Sequence, residues 1–158
     1  MTRESFMQHI ASEQESLRRF LLALCYGNKA DADDLAQETL IKAYLSLDKY
    51  KEYQRFSSWL MKIAHNTFLD SRRTSHPSDT LATAERLTAD RCSDEGFRYQ
   101  ELYTALDTLP RKERSSVLLF YMQGYTIKEI GQITNNSESA VKKQLERGRD
   151  KLKTIIKR

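Results

Sequence analysis

The stretch from residue 125 to residue 149 reads YTIKEIGQITNNSESAVKKQLERGR and decides how the chain is interpreted. Thr126 can cap a short helix over 127–133, and Asn135-Asn136 supply side chains that tolerate a left-handed turn. Ser137 can then cap a second helix. Two helices joined by a turn of three or four residues form a helix-turn-helix, so this stretch predicts that motif.

The second helix of the motif is strongly basic on one side. Val141, Leu145 and Leu152 recur at helical spacing and form its apolar stripe. The side chains that point away from the stripe are suited to the major groove, where Lys and Arg meet guanine acceptors or phosphates and Glu accepts from cytosine. These side chains are Lys142, Lys143, Glu146, Arg147 and Arg149. A basic surface helix with no role in DNA binding is the alternative.

The rest of the chain is also predicted to be helical. Only 5 Gly and 2 Pro occur in 158 residues, too few turn-formers for a many-stranded sandwich or barrel. Apolar spacing predicts one helix up to Leu24, a second that opens at Asp31 to Asp34, and a third that begins near Ser57 or Ser58. Ser75-His76-Pro77 then ends the helical pattern. We therefore predict an all-α fold with two small helical domains, 1–74 and 97–158, joined by a flexible linker, 75–96.

Charge alternates in blocks along this layout. The overall charge is only +4, but residues 138–158 carry +5, residues 49–73 carry +4, and residues 74–97 carry −3. Solvated helix faces account for most charge runs. Two basic blocks separated by an acidic one nevertheless favour two nucleic-acid surfaces on a tether.

Several classes of function are disfavoured. Cys25 and Cys92 have no Cys or His neighbour at metal-ligand spacing, so neither a metal site nor a disulfide framework is indicated. His9, His65 and His76 have no recognisable catalytic partners, so we expect neither an enzyme nor a cofactor. The sequence has no apolar run near 18 residues and no secretory signal, which predicts a cytoplasmic protein with no membrane insertion.

Three further segments extend the pattern to most of the chain. They read DDLAQETLIKAY at 33–44, RFSSWLMKIAHN at 55–66 and LDSRR at 69–73. Together these resemble region 2 of the extracytoplasmic-function sigma factors, group IV of the sigma-70 family. Leu109-Pro110 and the helix-turn-helix resemble region 4 of the same family. Thr134 to Ser139 departs from the family's common turn, which bears on which minus-35 sequence is read.

The resemblance implies a transcription initiation factor that binds core RNA polymerase and directs it to promoter DNA. It also implies regulation by an anti-sigma factor. The exposed face of the second helix would bind core polymerase through Asp34, Gln37, Glu38 and Ile41. The minus-10 element would be read and melted by Tyr53, Arg55, Phe56, Lys62, His65, Asn66, Arg72 and Arg73. The minus-35 element would be read by Lys128, Ser139, Lys142, Lys143, Glu146, Arg147 and Arg149.

Two alternatives remain at this point. A transcriptional regulator with a C-terminal helix-turn-helix would bind an operator without replacing a sigma factor, but it gives no reason for the basic block at 49–73. Trp59 could stack on a base, yet its place beside Leu60 and Ile63 in an apolar stripe favours core packing.

Overall fold

Helices make up the regular structure in the described part of the chain. A computed structural model describes residues 1–51, 55–74 and 103–156, so the predicted linker and Tyr53 lie outside the described residues. The helices are α1 Arg3–Leu24, α2 Lys29–Leu45, α3 Phe56–Thr74, α4 Arg111–Val117, α5 Ile127–Thr134 and α6 Glu138–Ile156. Residues 103–107 are also helical, a 3-10 turn spans Leu47–Lys49, and a π-helical turn, Leu118–Met122, continues α4. The predicted all-α fold is confirmed.

The first half of the chain is a bundle in which α1, α2 and α3 pack on one another. Leu17, Phe20 and Leu24 of α1 are fully buried, and Leu60 of α3 is buried with them. Their spacing of three, four and seven residues places the apolar side chains on one side of each helix. This leaves the opposite side of α2 free to face solvent.

The start of α2 differs from the sequence prediction. The helix begins at Lys29, where the Asn28 side chain accepts a hydrogen bond from the backbone N–H of Asp31 at 3.4 Å. The chain reaches this cap through left-handed backbone at Tyr26, φ 56°, and Gly27, φ 85°. The prediction that the Asp31 to Asp34 cluster opens the helix was wrong, because the side-chain amide of Asn28, three residues before Asp31, already supplies the cap.

The second half is built on α4, α5 and α6. Pro110 stands at the N-cap of α4, where its missing N–H costs nothing. Arg114 is 4% exposed, and its guanidinium donates to the backbone carbonyl oxygens of Leu106 and Leu109 at 3.0 and 2.9 Å. These bonds satisfy carbonyls left open where the helical segment 103–107 ends. Arg114 therefore holds the end of the helical segment 103–107 against α4, just before the helix-turn-helix.

Close packing of α4 against α6 depends on Gly148. A Cβ atom at this position would lie 2.7 Å from Val117 Cγ2. The two helices approach more closely than any side chain at 148 would allow. The core residues of both halves form one continuous cluster, because α3 packs on α5 and α1 packs on the π-helical turn.

Candidate protein and nucleic-acid interfaces

The exposed face of α2 combines polar and apolar side chains. Asp34, Gln37 and Glu38 are exposed, and Ile41 is 60% exposed. Spacings of three, four and seven residues place all four on one side of the helix. The structure thus brings together the residues predicted to bind core polymerase.

Leu45 extends the same face by one further turn and was missed by the sequence analysis. Its side chain is 73% exposed, the highest exposure among the large apolar residues of the described chain. The apolar spacing of the second helix also predicts that Tyr44 is buried, but its side chain is 46% exposed and its ring centroid lies 5.8 Å from that of Phe6. The signal available in the sequence was the spacing of four residues from Ile41 to Leu45. Exposed apolar side chains within a polar rim are typical of a protein-binding surface.

A second surface lies along α3 and is basic. Arg55, Lys62, Asn66 and Arg73 are exposed. Their spacings of 7, 11 and 18 residues from Arg55 return to nearly the same angle around a helix, so they form one stripe. Arg73 lies 3.6 Å from Asp70, an exposed pair that screening makes weak. We call Arg55, Lys62, Asn66 and Arg73 the α3 stripe.

Phe56 does not join the α3 stripe. Its side chain is 6% exposed and its ring packs at 6.0 Å from Phe6, 5.8 Å from Tyr50 and 5.7 Å from Trp59, measured between centroids. His9 stacks on the same ring at 4.8 Å. Phe56 therefore holds α3 against α1 in this structure, and Trp59 is half-buried beside it as the core-packing interpretation predicts.

Arg72 also lies away from the α3 stripe, although it is adjacent to Arg73 in sequence. Its guanidinium donates to Asp31 Oδ2 at 2.8 Å and lies 4.9 Å from the centroid of the Phe68 ring. The Arg72 side chain is 9% exposed and the Asp31 side chain 23%. A charge buried in this way needs its partner, so Arg72 ties the end of α3 to the start of α2.

The helix-turn-helix forms with the predicted local chemistry. Thr126 Oγ1 accepts from the Glu129 N–H at 3.2 Å, and Glu129 Oε1 accepts from the Thr126 N–H at 3.0 Å, which is a capping box. Asn135 adopts the left-handed conformation, with φ 58°. Ser137 Oγ accepts from the Ala140 N–H at 3.1 Å and caps α6. The predicted caps and turn are confirmed, and α5 ends one residue later than predicted, at Thr134.

The outer side of α6 is exposed, with a tertiary contact at Arg149, whose Nη1 donates to Tyr121 Oη at 3.4 Å. Val141 and Leu145 are buried against the core, whereas the predicted reading side chains are all exposed. Those on α6 are Ser139, Lys142, Lys143, Glu146, Arg147 and Arg149, and Lys128 is exposed on α5. A helix that presents four or more cations on one exposed side has the geometry required for the major groove.

A contact between the two halves was not foreseen from sequence. Arg55 Nη1 donates to Glu129 Oε2 at 2.9 Å, and Ser58 Oγ donates to the same oxygen at 3.3 Å. Burial would raise the pKa of Glu129, but hydrogen bonds from Thr126 and Arg55 outweigh it and hold the pKa below its usual value. Glu129 is therefore a carboxylate held against the basic end of α3.

His65 forms a second contact of this kind. Its side chain is 5% exposed, and Nε2 lies 3.1 Å from Ser115 Oγ of α4. Burial lowers its pKa from 6.5 to about 4, so the ring is neutral at pH 7. His65 is thus covered by the second half of the chain in this structure and does not reach the surface of the α3 stripe.

Metal-binding clusters and membrane-spanning helices are both absent from residues 1–51, 55–74 and 103–156. No group of three or more His, Cys, Asp and Glu side chains there could hold a metal ion. No helix formed by those residues is long and apolar enough to cross a membrane.

Comparisons with known proteins match the two halves separately. Residues 10–76 match the family Sigma-70 region 2, and residues 99–152 match Sigma-70, region 4. The ECF RNA polymerase sigma factor SigW of Bacillus subtilis is 32% identical over 152 residues, covering 85% of this chain and 81% of the relative. EcfG of Rhodopseudomonas palustris, another ECF RNA polymerase sigma factor, is 28% identical and covers 97% and 86% respectively.

Solved structures share the fold. The sigma factor RpoE, in complex with the anti-sigma factor NepR from Bartonella quintana, superposes with a TM-score of 0.78 at 21% identity over 98% of each chain. CnrH, in complex with the cytosolic domain of CnrY, gives a TM-score of 0.73 at 23% identity over 99% of this chain and 90% of the other. At these identities the likeness concerns the arrangement of helices.

Proposed function

Because this chain belongs to the extracytoplasmic-function RNA polymerase sigma factors, we propose that it binds core RNA polymerase and directs it to promoters through three separate surfaces. One observation carries this proposal: a region 2 match and a region 4 match occur in order in one chain. An operator-binding regulator would need only the second, so that alternative is not favoured. We propose the division into 1–74, 75–96 and 97–158 on the same basis.

The exposed face of α2 is the surface that we assign to core polymerase. Ile41 and Leu45 supply apolar area, and Asp34, Gln37 and Glu38 supply a polar rim. An interface of this kind gains affinity from a few apolar anchors and specificity from the charges around them. The polar rim also keeps this face soluble when polymerase is absent, which a factor that binds and then leaves polymerase requires.

The α3 stripe is the surface that we assign to the minus-10 element. Exposed Arg55, Lys62 and Arg73 can follow a phosphate backbone, and the Asn66 amide can bond a base edge. Phe56 and Arg72 are left out of this surface, because both are committed to contacts inside the bundle. Tyr53 stays a prediction from the resemblance.

The outer side of α6 is the surface that we assign to the minus-35 element. Lys142, Lys143, Arg147 and Arg149 are exposed cations on the recognition helix of a helix-turn-helix. Such a helix reads duplex DNA in the major groove. We propose that the chain acts in the cytoplasm, without catalysis of its own, and that an anti-sigma factor regulates it, as the anti-sigma factor NepR accompanies RpoE in its structure.

Transcription in vitro tests the assignment. Purified chain is added to bacterial core polymerase on a genomic template library, and transcript starts are mapped by sequencing. We expect a small set of starts that share two spaced elements. Starts scattered at the level of core polymerase alone would contradict the proposal.

Two variants separate the surfaces. Ile41→Ala combined with Leu45→Ala should weaken core binding about tenfold or more. Met7→Ala, which truncates an exposed apolar side chain on α1, should leave core binding unchanged. Arg147→Ala should weaken binding to minus-35 duplex by about 1–3 kcal/mol and leave core binding unchanged. Lys112→Ala removes one exposed charge from α4 and serves as its control. Equal losses in both assays would indicate misfolding instead.

A further inference from the structure

A groove runs between α3 and α5, at the junction of the two halves. It consists of two adjoining cavities of about 470 and 460 Å³, and both are lined by Lys62 of α3 and Gln132 of α5. Small-molecule sites have volumes of roughly 300–1,000 Å³ and commonly lie at boundaries between domains. We call the two cavities together the α3–α5 groove.

The first cavity is partly apolar, and its charges are already compensated. Trp59, which is half-buried, and Ile133 contribute apolar surface. Arg55 and Glu129 also line this cavity, but Arg55 Nη1 donates to Glu129 Oε2 at 2.9 Å, so the two charges offset each other. The Gln132 side chain adds an amide that can bond a ring nitrogen or an exocyclic group. An aromatic wall with one polar group beside it suits a flat heteroaromatic ring.

The second cavity is polar and has an excess of positive charge. Lys62 and Lys128 line it from α3 and from α5, against a single carboxylate, Glu138, among its described lining residues. Neither lysine forms an ion pair or hydrogen bond with another residue in the described part of the chain. Two ammonium groups without partners attract an anion that carries more than one charge.

The start of α6 adds to the positive potential of the second cavity. Ser137 and Glu138, where α6 begins, both line it. Ser137 Oγ accepts from the Ala140 N–H at 3.1 Å, which leaves the N–H groups of residues 138 and 139 without a partner inside the helix. The positive end of the helix dipole therefore favours an anion at the same place as the two lysines.

We propose that the α3–α5 groove binds a nucleoside polyphosphate, with its base against Trp59 in the first cavity and its phosphates between Lys62 and Lys128 in the second. A ligand that is aromatic at one end and polyanionic at the other matches both cavities, whereas an inorganic anion or an uncharged base matches one. The inference goes beyond the proposed function and does not depend on it, because it concerns the free chain without polymerase or DNA.

The first measurement is equilibrium binding to the free chain in buffer without divalent cations. ATP and GTP are titrated by calorimetry and by the fluorescence of Trp59, the single tryptophan. We expect one nucleotide to bind per chain and to change the Trp59 emission. Adenosine alone and inorganic triphosphate alone should each bind about tenfold more weakly or worse, since each fills one cavity. Triphosphate that binds as tightly as ATP would indicate an adventitious anion only and would overturn the proposal.

Single substitutions of the lysines test the phosphate end. Lys62→Ala and Lys128→Ala should each weaken ATP binding about five- to tenfold, because each removes a charged hydrogen-bond donor. Both side chains are exposed, so truncation leaves the core intact. Lys153→Ala is the matched control, since it removes one exposed charge from α6 outside the groove. An equal loss with Lys153→Ala would mean that overall positive charge attracts the nucleotide, and would overturn the site.

Glu138→Gln tests the sign of the effect with a change that should improve binding. Glu138 lines the second cavity and repels phosphate, so its neutral amide should tighten ATP binding about two- to threefold. Asp150→Asn is the control, because it removes one negative charge from an exposed position on α6 that does not line the groove. Tightening by Asp150→Asn to the same extent, or no tightening by Glu138→Gln, would contradict the placement of the phosphates.

The phosphates of a DNA strand are another source of the same chemistry, because Lys62 and Lys128 are also assigned to promoter DNA. A single-stranded oligodeoxynucleotide is therefore titrated in parallel with ATP. A change in Trp59 emission with the oligonucleotide and none with ATP would assign the groove to DNA and overturn this inference, while the proposed function stands. Saturable ATP binding that depends on Lys62 and Lys128 would support the site even if no promoter-specific transcription is observed, in which case the proposed function fails instead.

Discussion

His65 makes the free energy of unfolding depend on pH in a way that can be calculated from its surroundings. The ring is 5% exposed, and burial lowers its pKa from 6.5 to about 4. Nε2 shares a hydrogen bond with Ser115 Oγ, and Nδ1 has no hydrogen-bond partner among the described residues. Protonation would place an N–H on both ring nitrogens and a positive charge on a buried ring whose Nδ1 is unpaired, which costs more.

The depressed pKa of His65 sets the direction in which stability changes with pH. The folded state favours neutral His65, so its contribution to stability is fully present above pH 6.5 and is lost as the pH falls from 6.5 towards 4. The difference between the unfolded and folded pKa values lowers the free energy of unfolding by about 2 kcal/mol between pH 7.5 and pH 5.0. The unfolded chain binds the proton in this interval and the folded chain does not.

Urea unfolding at the two pH values measures this loss, with the fluorescence of Trp59, the single tryptophan, as the signal. His65→Gln is the control, because glutamine can bond Ser115 and does not titrate. Wild type should lose about 2 kcal/mol more than His65→Gln over the interval, since other titrating groups contribute equally to both. Equal losses, or an imidazole proton resonance of His65 that titrates near pH 6.5 in the folded chain, would refute the reasoning.

Two further predictions concern packing within each half. Arg72→Met keeps the apolar stem of the side chain but removes the ion pair between Arg72 and Asp31, so the free energy of unfolding should fall by roughly 2–3 kcal/mol in guanidinium titrations. A change within 0.5 kcal/mol would show that the pair is not formed in solution. Gly148→Ala should cost about 1–3 kcal/mol, because its Cβ would lie 2.7 Å from Val117 Cγ2. Adding Val117→Ala should recover part of that loss in thermal unfolding, and a loss that stays the same would place the strain elsewhere.

The sequence predicted most reliably those features that depend on near neighbours. The caps at Thr126 and Ser137 and the left-handed turn at Asn135 each involve residues at most four positions apart. The exposed face of α2 follows in the same way from helical spacing. Such features are set by local backbone chemistry, which one sequence displays in full.

Adjacent basic residues could not be told apart in this way. Arg72 and Arg73 carry the same charge, yet Arg72 is buried against Asp31, 41 residues away, and Arg73 is exposed. Phe56 and Leu45 show the same limit, since an apolar side chain is buried or exposed according to what packs on it. Spacing along one helix does not identify that neighbour.

The sequence by itself determined that this chain is helical, and it predicted two halves, a basic second helix in the helix-turn-helix and a polar exposed face on α2. Only the tertiary structure decided which charges remain available to partners. Arg55 and Glu129 are 74 residues apart and meet because α3 packs on α5. Helix formation and capping are governed by interactions a few residues apart, whereas the commitment of a charge depends on distant helices brought together by burial of a common core.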